Sequence, residues 1–197
     1  MCGSTFRAPK RIGQALLFLA VGLTALIPLQ VARAQNSNPC ADNNLPSPVI
    51  DLIKTKFGGW RPKQTEDLDP GNRQLWLKPH SNDCPGIAVG HFESLERLTY
   101  AILLVPQSNP SGGYKLLVFN KMPSGDVYVW KLLGHSDAGI YSGTVIETAP
   151  PGHYENYEDA RISVTTKLEG FYMEWIEKGA ILYYWSAGRY KTVTVSG

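Results

Sequence analysis

From Gln74 onward the sequence is written in short runs rich in β-branched and aromatic residues, each broken off by a cluster of turn residues. That pattern confines the body of the chain to strand-based folds. The runs are LWL (75–77), IAVGHF (87–92), LTYAILLV (98–105), YKLLVF (114–119), VYVWKLL (127–133), RISVTT (161–166), FYMEWI (171–176), AILYYW (180–185) and RYKTVTV (189–195). PSGG (110–113), PSG (123–125) and SAG (186–188) supply turns between them. The last reads as a three-residue hairpin loop with Gly188 in the left-handed region, so the final two strands are expected to pair antiparallel. Within FYMEWI, Phe171, Met173 and Trp175 fall on one face and Tyr172 and Glu174 on the other, the alternation of an antiparallel sheet with one buried face.

Ahead of the strands the pattern is helical. Ser47 is placed to cap a first turn, Pro48 suits the opening helical position, and Val49, Leu52, Ile53 and Phe57 share one face before Gly58 and Gly59 stop the helix. Residues 61–73 are rich in Pro, Asp and Asn and read as a long surface loop. No alternation of strand and helix supports a doubly wound sheet. The fold class expected is α+β: one N-terminal helix packed on a mostly antiparallel, strongly curved β-sheet that closes toward a barrel or sandwich.

The N-terminus carries a different signal. Arg7, Lys10 and Arg11 precede a nearly unbroken apolar run, ALLFLAVGLTALIPL (15–29), and Ala32 and Ala34 frame an A-x-A cleavage pattern that places a cut before Gln35. The run falls short of the roughly 20 residues that a membrane-crossing helix needs, and Pro28 interrupts its end, so no permanent membrane span is expected. Ser37, Asn38 and Pro39 before Cys40 do not form a lipobox. Residues 1–34 are therefore read as a cleaved signal peptide, 35–45 as a flexible arm and 46–197 as a single domain, exported to the periplasm or the medium. Cleavage removes four of the 19 Lys and Arg and none of the 17 Asp and Glu, which leaves a mildly acidic chain without the basic face of a nucleic-acid binder.

Cys2 leaves with the leader, and the pair that remains, Cys40 and Cys84, reads as a disulfide in an exported protein. On the chain-entropy account a loop of roughly 45 residues closed in this way stabilises the fold by about 3 to 4 kcal/mol.

The ending YYWSAGRYKTV (183–193) and the segment CPGIAVGHF (84–92) resemble those of uncharacterised small exported bacterial proteins with a Tyr-Tyr-Trp-x-x-Gly-Arg-Tyr C-terminal hairpin. The resemblance implies export and carries no activity with it. Metalloprotease, phosphate-loop, dinucleotide and EF-hand signatures are absent, so neither cofactor nor metal is expected. GIYSG (139–143) sets its serine one place too late for a nucleophile elbow and is read as a turn.

Each histidine has a carboxylate two or three residues on: His80 with Asp83, His91 with Glu93, His135 with Asp137, His153 with Glu155. Only His91 lies in an apolar run, and on a strand it shares a face with Glu93. These two, with His80, are the catalytic candidates of a small hydrolase or metal-dependent enzyme. Tyr154 and Tyr157, in the polar segment 147–160, are candidate contacts for a protein, saccharide or envelope ligand. The favoured expectation is a non-catalytic binding or envelope-associated protein.

Overall fold

The computed structural model describes Cys40, residues 45–123 and residues 125–196. Residues 1–34, read in the sequence as a signal peptide, and most of the expected arm lie outside the described residues. Two α-helices and eleven strands form the described part: α1 (Ser47–Lys56), β1 (Trp60–Pro62), α2 (Pro70–Leu77), β2 (Ile87–Ser94), β3 (Arg97–Pro106), β4 (Tyr114–Lys121), β5 (Tyr128–Ser136), β6 (Thr144–Ala149), β7 (Gly152–Glu155), β8 (Ser163–Thr166), β9 (Gly170–Trp175), β10 (Gly179–Ser186) and β11 (Arg189–Ser196). Every strand pairing is antiparallel.

The strands do not share one strongly curved sheet. Five of them form a first sheet, β1-β3-β4-β5 with β2 also on β3; four form a second, β11-β10-β9-β6; and β7 pairs with β8 alone. The break falls where β2 runs beside β6. The backbone bond from Ile146 N–H to the Pro85 carbonyl (2.9 Å) crosses there, together with the Thr148 hydroxyl to the Val89 carbonyl (3.0 Å), and no ladder pairs the two strands among the described residues.

Between the two sheets Ala88, Phe92, Ala101, Leu103, Leu116 and Val118 meet Ile146, Phe171 and Met173. On the far side of the first sheet, Ile102, Leu104, Leu117 and Phe119 are covered by Val49 and Ile53 of α1. With both faces covered, β3 is fully enclosed from Ala101 to Val105, which is why it reads as an unbroken apolar run.

α1 begins without a side-chain cap: Pro46 stands at the cap position and Ser47 is already helical. A larger departure lies in 61–77. The stretch expected to be a loop ends in α2, and LWL belongs to that helix and not to a strand. Asp69 caps it, accepting from Gly71 N–H (3.1 Å) and Asn72 N–H (3.0 Å), and Pro70 follows at the position where a missing N–H costs nothing. Helical period explains the burial: Trp76 and Asn72, one turn apart, face inward while Leu75 and Leu77 are exposed. The approach to α2 is stitched by Arg61 bidentate to Asp67 (2.6 and 2.7 Å) and by Arg73 donating to the carbonyls of Thr65, Glu66 and Leu68.

β10 and β11 pair antiparallel as expected, but Ser186 pairs with Arg189, so the loop holds only Ala187 and Gly188, both left-handed (φ 51° and 76°). At Gly86 any side chain would meet the backbone of Lys63, 2.5 Å from its nitrogen and oxygen.

Cys40 and Cys84 are joined across a sequence separation of 44 residues, both nearly enclosed, with the Lys63 carbonyl beside the two sulfurs. No helix among the described residues is long and apolar enough to cross a membrane.

Candidate functional site

Val145 and Glu147 on β6, and Tyr172 and Glu174 on β9, alternate onto the outer face of the second sheet. Two pieces of chain cover that face. Trp76 of α2 packs with Leu68, Val145 and Ile176 at one end, and β7–β8 lays Tyr154 and Val164 over Leu182, Val193 and Ala149 at the other. Glu147 and Glu174 occupy the strip between the covers.

The turn after α2 brings an imidazole onto this strip. His80 N–H donates to the Trp76 carbonyl (3.1 Å), Asp83 N–H to the His80 carbonyl (3.2 Å), and Trp76 Nε1 to the Asp83 carbonyl (3.3 Å). The next residue is Cys84, so the disulfide fixes the far side of the turn. The His80 ring stacks on Trp76 at 4.2 Å and 19°. Its Nδ1 faces Asp83 Oδ2 at 3.2 Å and its Nε2 faces Glu147 Oε2 at 3.1 Å.

Beside it, where β2 and β6 diverge, lies a cleft of about 390 Å³ walled by Trp76, His80, Asp83, Ile87, Val89 and Glu147. Two further depressions share wall residues with it, one through Glu147, with Glu155 and Glu174, the other through Trp76 and His80, with Glu174 and Glu177. Five carboxylates line this system and no Lys or Arg does. Burial pushes the Glu147 carboxyl up; His80 opposes the rise, and the carboxylates of Glu174 and Asp83 add to it. Glu174 is pushed up by burial as well, against His80.

Of the catalytic candidates, only His80 lines the cleft. His91 turns to Glu169, whose Oε2 accepts its backbone N–H at 2.6 Å and stands 3.3 Å from Nδ1. Glu93 instead accepts from Asn120 Nδ2 and Lys131 Nζ, both at 3.0 Å, and Lys131 lies over the Trp185 ring at 4.3 Å. The β2–β3 ladder is irregular between Gly90 and Ser94, so simple alternation does not bring His91 and Glu93 together. His135 is exposed, and His153 faces Thr165 (3.1 Å).

Tyr154 is packed edge-on against Tyr172 and donates to the Pro150 carbonyl, while Tyr157 is 62% exposed. Ser142 of the GIYSG turn donates to Asp69 (2.6 Å), bracing α2. Glu147 and Glu174 were not singled out in the sequence. Glu174 is legible only as the polar alternate of FYMEWI, and Glu147 opens the polar segment 147–160, which shows no strand alternation. Among the described residues no group of three or more His, Cys, Asp and Glu side chains is arranged to hold a metal ion. No protein-family model, no curated protein and no solved structure matches this chain.

Proposed function

We propose that this chain is an exported, non-catalytic binding module that holds a positively charged small ligand in the cleft between α2, β2 and β6. The observation that carries the reading is the charge of the lining: Asp83 and Glu147 line the cleft, Glu155, Glu174 and Glu177 line the two depressions that share wall residues with it, and no Lys or Arg lines any of the three. Burial raises Glu147, with a lesser push from Glu174 and Asp83, and a bound ammonium or guanidinium opposes both by favouring the ionised carboxylate. The cleft also lies within the ordinary size range of small-molecule sites.

The competing reading, hydrolysis by His91 and Glu93, has less support because each of the two is engaged by a partner of its own. His80 has both ring nitrogens facing carboxylates, which leaves neither open to a substrate proton.

Titration calorimetry with spermidine and arginine amide, against a dicarboxylate of similar size, tests the binding reading. The cations are expected to bind and the dicarboxylate not. Glu147→Gln should weaken cation binding about tenfold, equivalent to about 1.4 kcal/mol. Because burial raises Glu147 and Glu174, cation binding favours their ionised forms and releases protons, so affinity should climb with pH through the acidic range. Equal binding of the dicarboxylate, or an unchanged affinity in Glu147→Gln, rules the reading out. Export is tested separately by N-terminal sequencing of protein recovered outside the cytosol, which should begin at Gln35.

A further inference from the structure

The β2–β3 and β4–β5 turns project from the same end of the first sheet, because β3 pairs Arg97 with Ser94 on one side and Thr99 with Asn120 on the other, while β4 pairs Lys121 with Tyr128. Both turns carry aliphatic side chains into solvent. Leu95 is 75% exposed, Val127 58%, Leu98 43% and Met122 38%. Exposed apolar residues scattered singly need no explanation, but four gathered at one end of a sheet do.

Tyr100 and Tyr128 sit behind them as an edge-on pair with ring centroids 6.1 Å apart. Tyr100 is two residues along β3 from Leu98, a setback of about 7 Å at the rise of a strand. Peripheral proteins bury apolar side chains about 5–10 Å into the boundary between lipid headgroups and acyl chains, with tyrosine rings held at headgroup level. The charges at this end cancel in pairs: Lys121 is 2.7 Å from Asp126, and Glu96 adjoins Arg97. Such a tip complements a zwitterionic surface and offers no excess of positive charge to an anionic one. The aliphatic groups stand out from two turns and the first residues of β3 instead of lining a shaped surface, which suits a fluid partner.

We infer that Leu95, Leu98, Met122 and Val127 form a lipid-insertion tip that docks the molecule on the surface of a zwitterionic bilayer. Docking there does not depend on what fills the carboxylate cleft, because none of Leu95, Leu98, Met122 and Val127 lines it.

Hydrogen exchange on the full chain, with and without phosphatidylcholine vesicles, tests this, and its local readout separates the tip from any contribution of the apolar leader. Vesicles should slow exchange at residues 95–98 and at Met122 and Val127. The double substitution Leu95→Glu, Val127→Glu should abolish that slowing, so that exchange at residues 95–98 with vesicles matches the rate without them. Ile162→Glu, a comparably exposed position on another part of the surface, should leave the slowing unchanged, and an unaltered melting temperature in both variants shows that the fold is intact. Raising the salt concentration should leave binding unchanged. Three results overturn the inference: no slowing at the tip despite vesicle binding, binding that requires anionic lipid, or protection of the tip that grows with protein concentration in the absence of vesicles, which would mean a second copy covers it.

Discussion

At Lys63 a charged side chain is almost completely enclosed, and its ammonium group donates to the carbonyls of Ser142 (2.6 Å) and Tyr141 (3.4 Å). Burial pushes its pKa down to about 8, with Asp67 and Asp69 opposing the change. An amine whose folded pKa lies below its unfolded one contributes stability that is fully present above the unfolded value and lost as pH falls through the folded value. Between pH 8 and 10 the folded chain has released this proton and the unfolded chain still holds it. Unfolding free energy from denaturant titrations should therefore climb across that window, by at most about 1.4 kcal/mol per pH unit. Lys63→Met should flatten the climb, and a parent protein that shows no rise would contradict the assignment. Nothing in the sequence marked Lys63 for burial, since Lys is almost never enclosed and the carbonyls that receive it lie 78 and 79 residues away. The carboxylate cleft was hard to read for the same reason. His80 stood out because its Asp83 neighbour is local, whereas Glu147 and Glu174 reach it only through the pairing of β6 with β9.

Regular elements were legible where period and propensity agreed. β3, β4, β9, β10 and β11 fall where their apolar runs predict, and α1 buries the face that its spacing marks out. α2 gives no readable period because its eight residues show only two inward positions, Asn72 and Trp76, and Asp69-Pro70 has the composition of a loop although it forms the cap. β6 and β7 are masked in the sequence because Glu147, Pro150 and His153 make 147–160 polar, although TVI (144–146) has strand character. The β10–β11 turn gives a test at this scale. Ala187 holds a left-handed conformation that costs an L-residue about 1 kcal/mol and that Asn tolerates well. Ala187→Asn should raise stability by about that amount, read as a higher thermal midpoint. A lower midpoint would show that this turn does not hold the two-residue geometry.

Over the whole molecule, the division into two antiparallel sheets rests on how little joins β2 to β6, and the disulfide stands beside that seam. Cys84 lies between Asp83, which faces His80, and Pro85, whose carbonyl takes the crossing bond from Ile146. Replacing both Cys40 and Cys84 by Ala opens a covalent loop of 44 residues. The expected loss is about 3 kcal/mol, or a fall of about 10 °C in melting temperature. Calorimetry showing no fall would mean the cross-link constrains little of the unfolded chain. The stacking of His80 on Trp76 has a different kind of consequence. An imidazole held flat against an indole changes the light that indole emits, so any event that lifts the ring away, whether ligand entry or loss of the neighbouring cross-link, should register as an altered tryptophan spectrum. The protein thus carries its own optical gauge of the cleft, readable without a label.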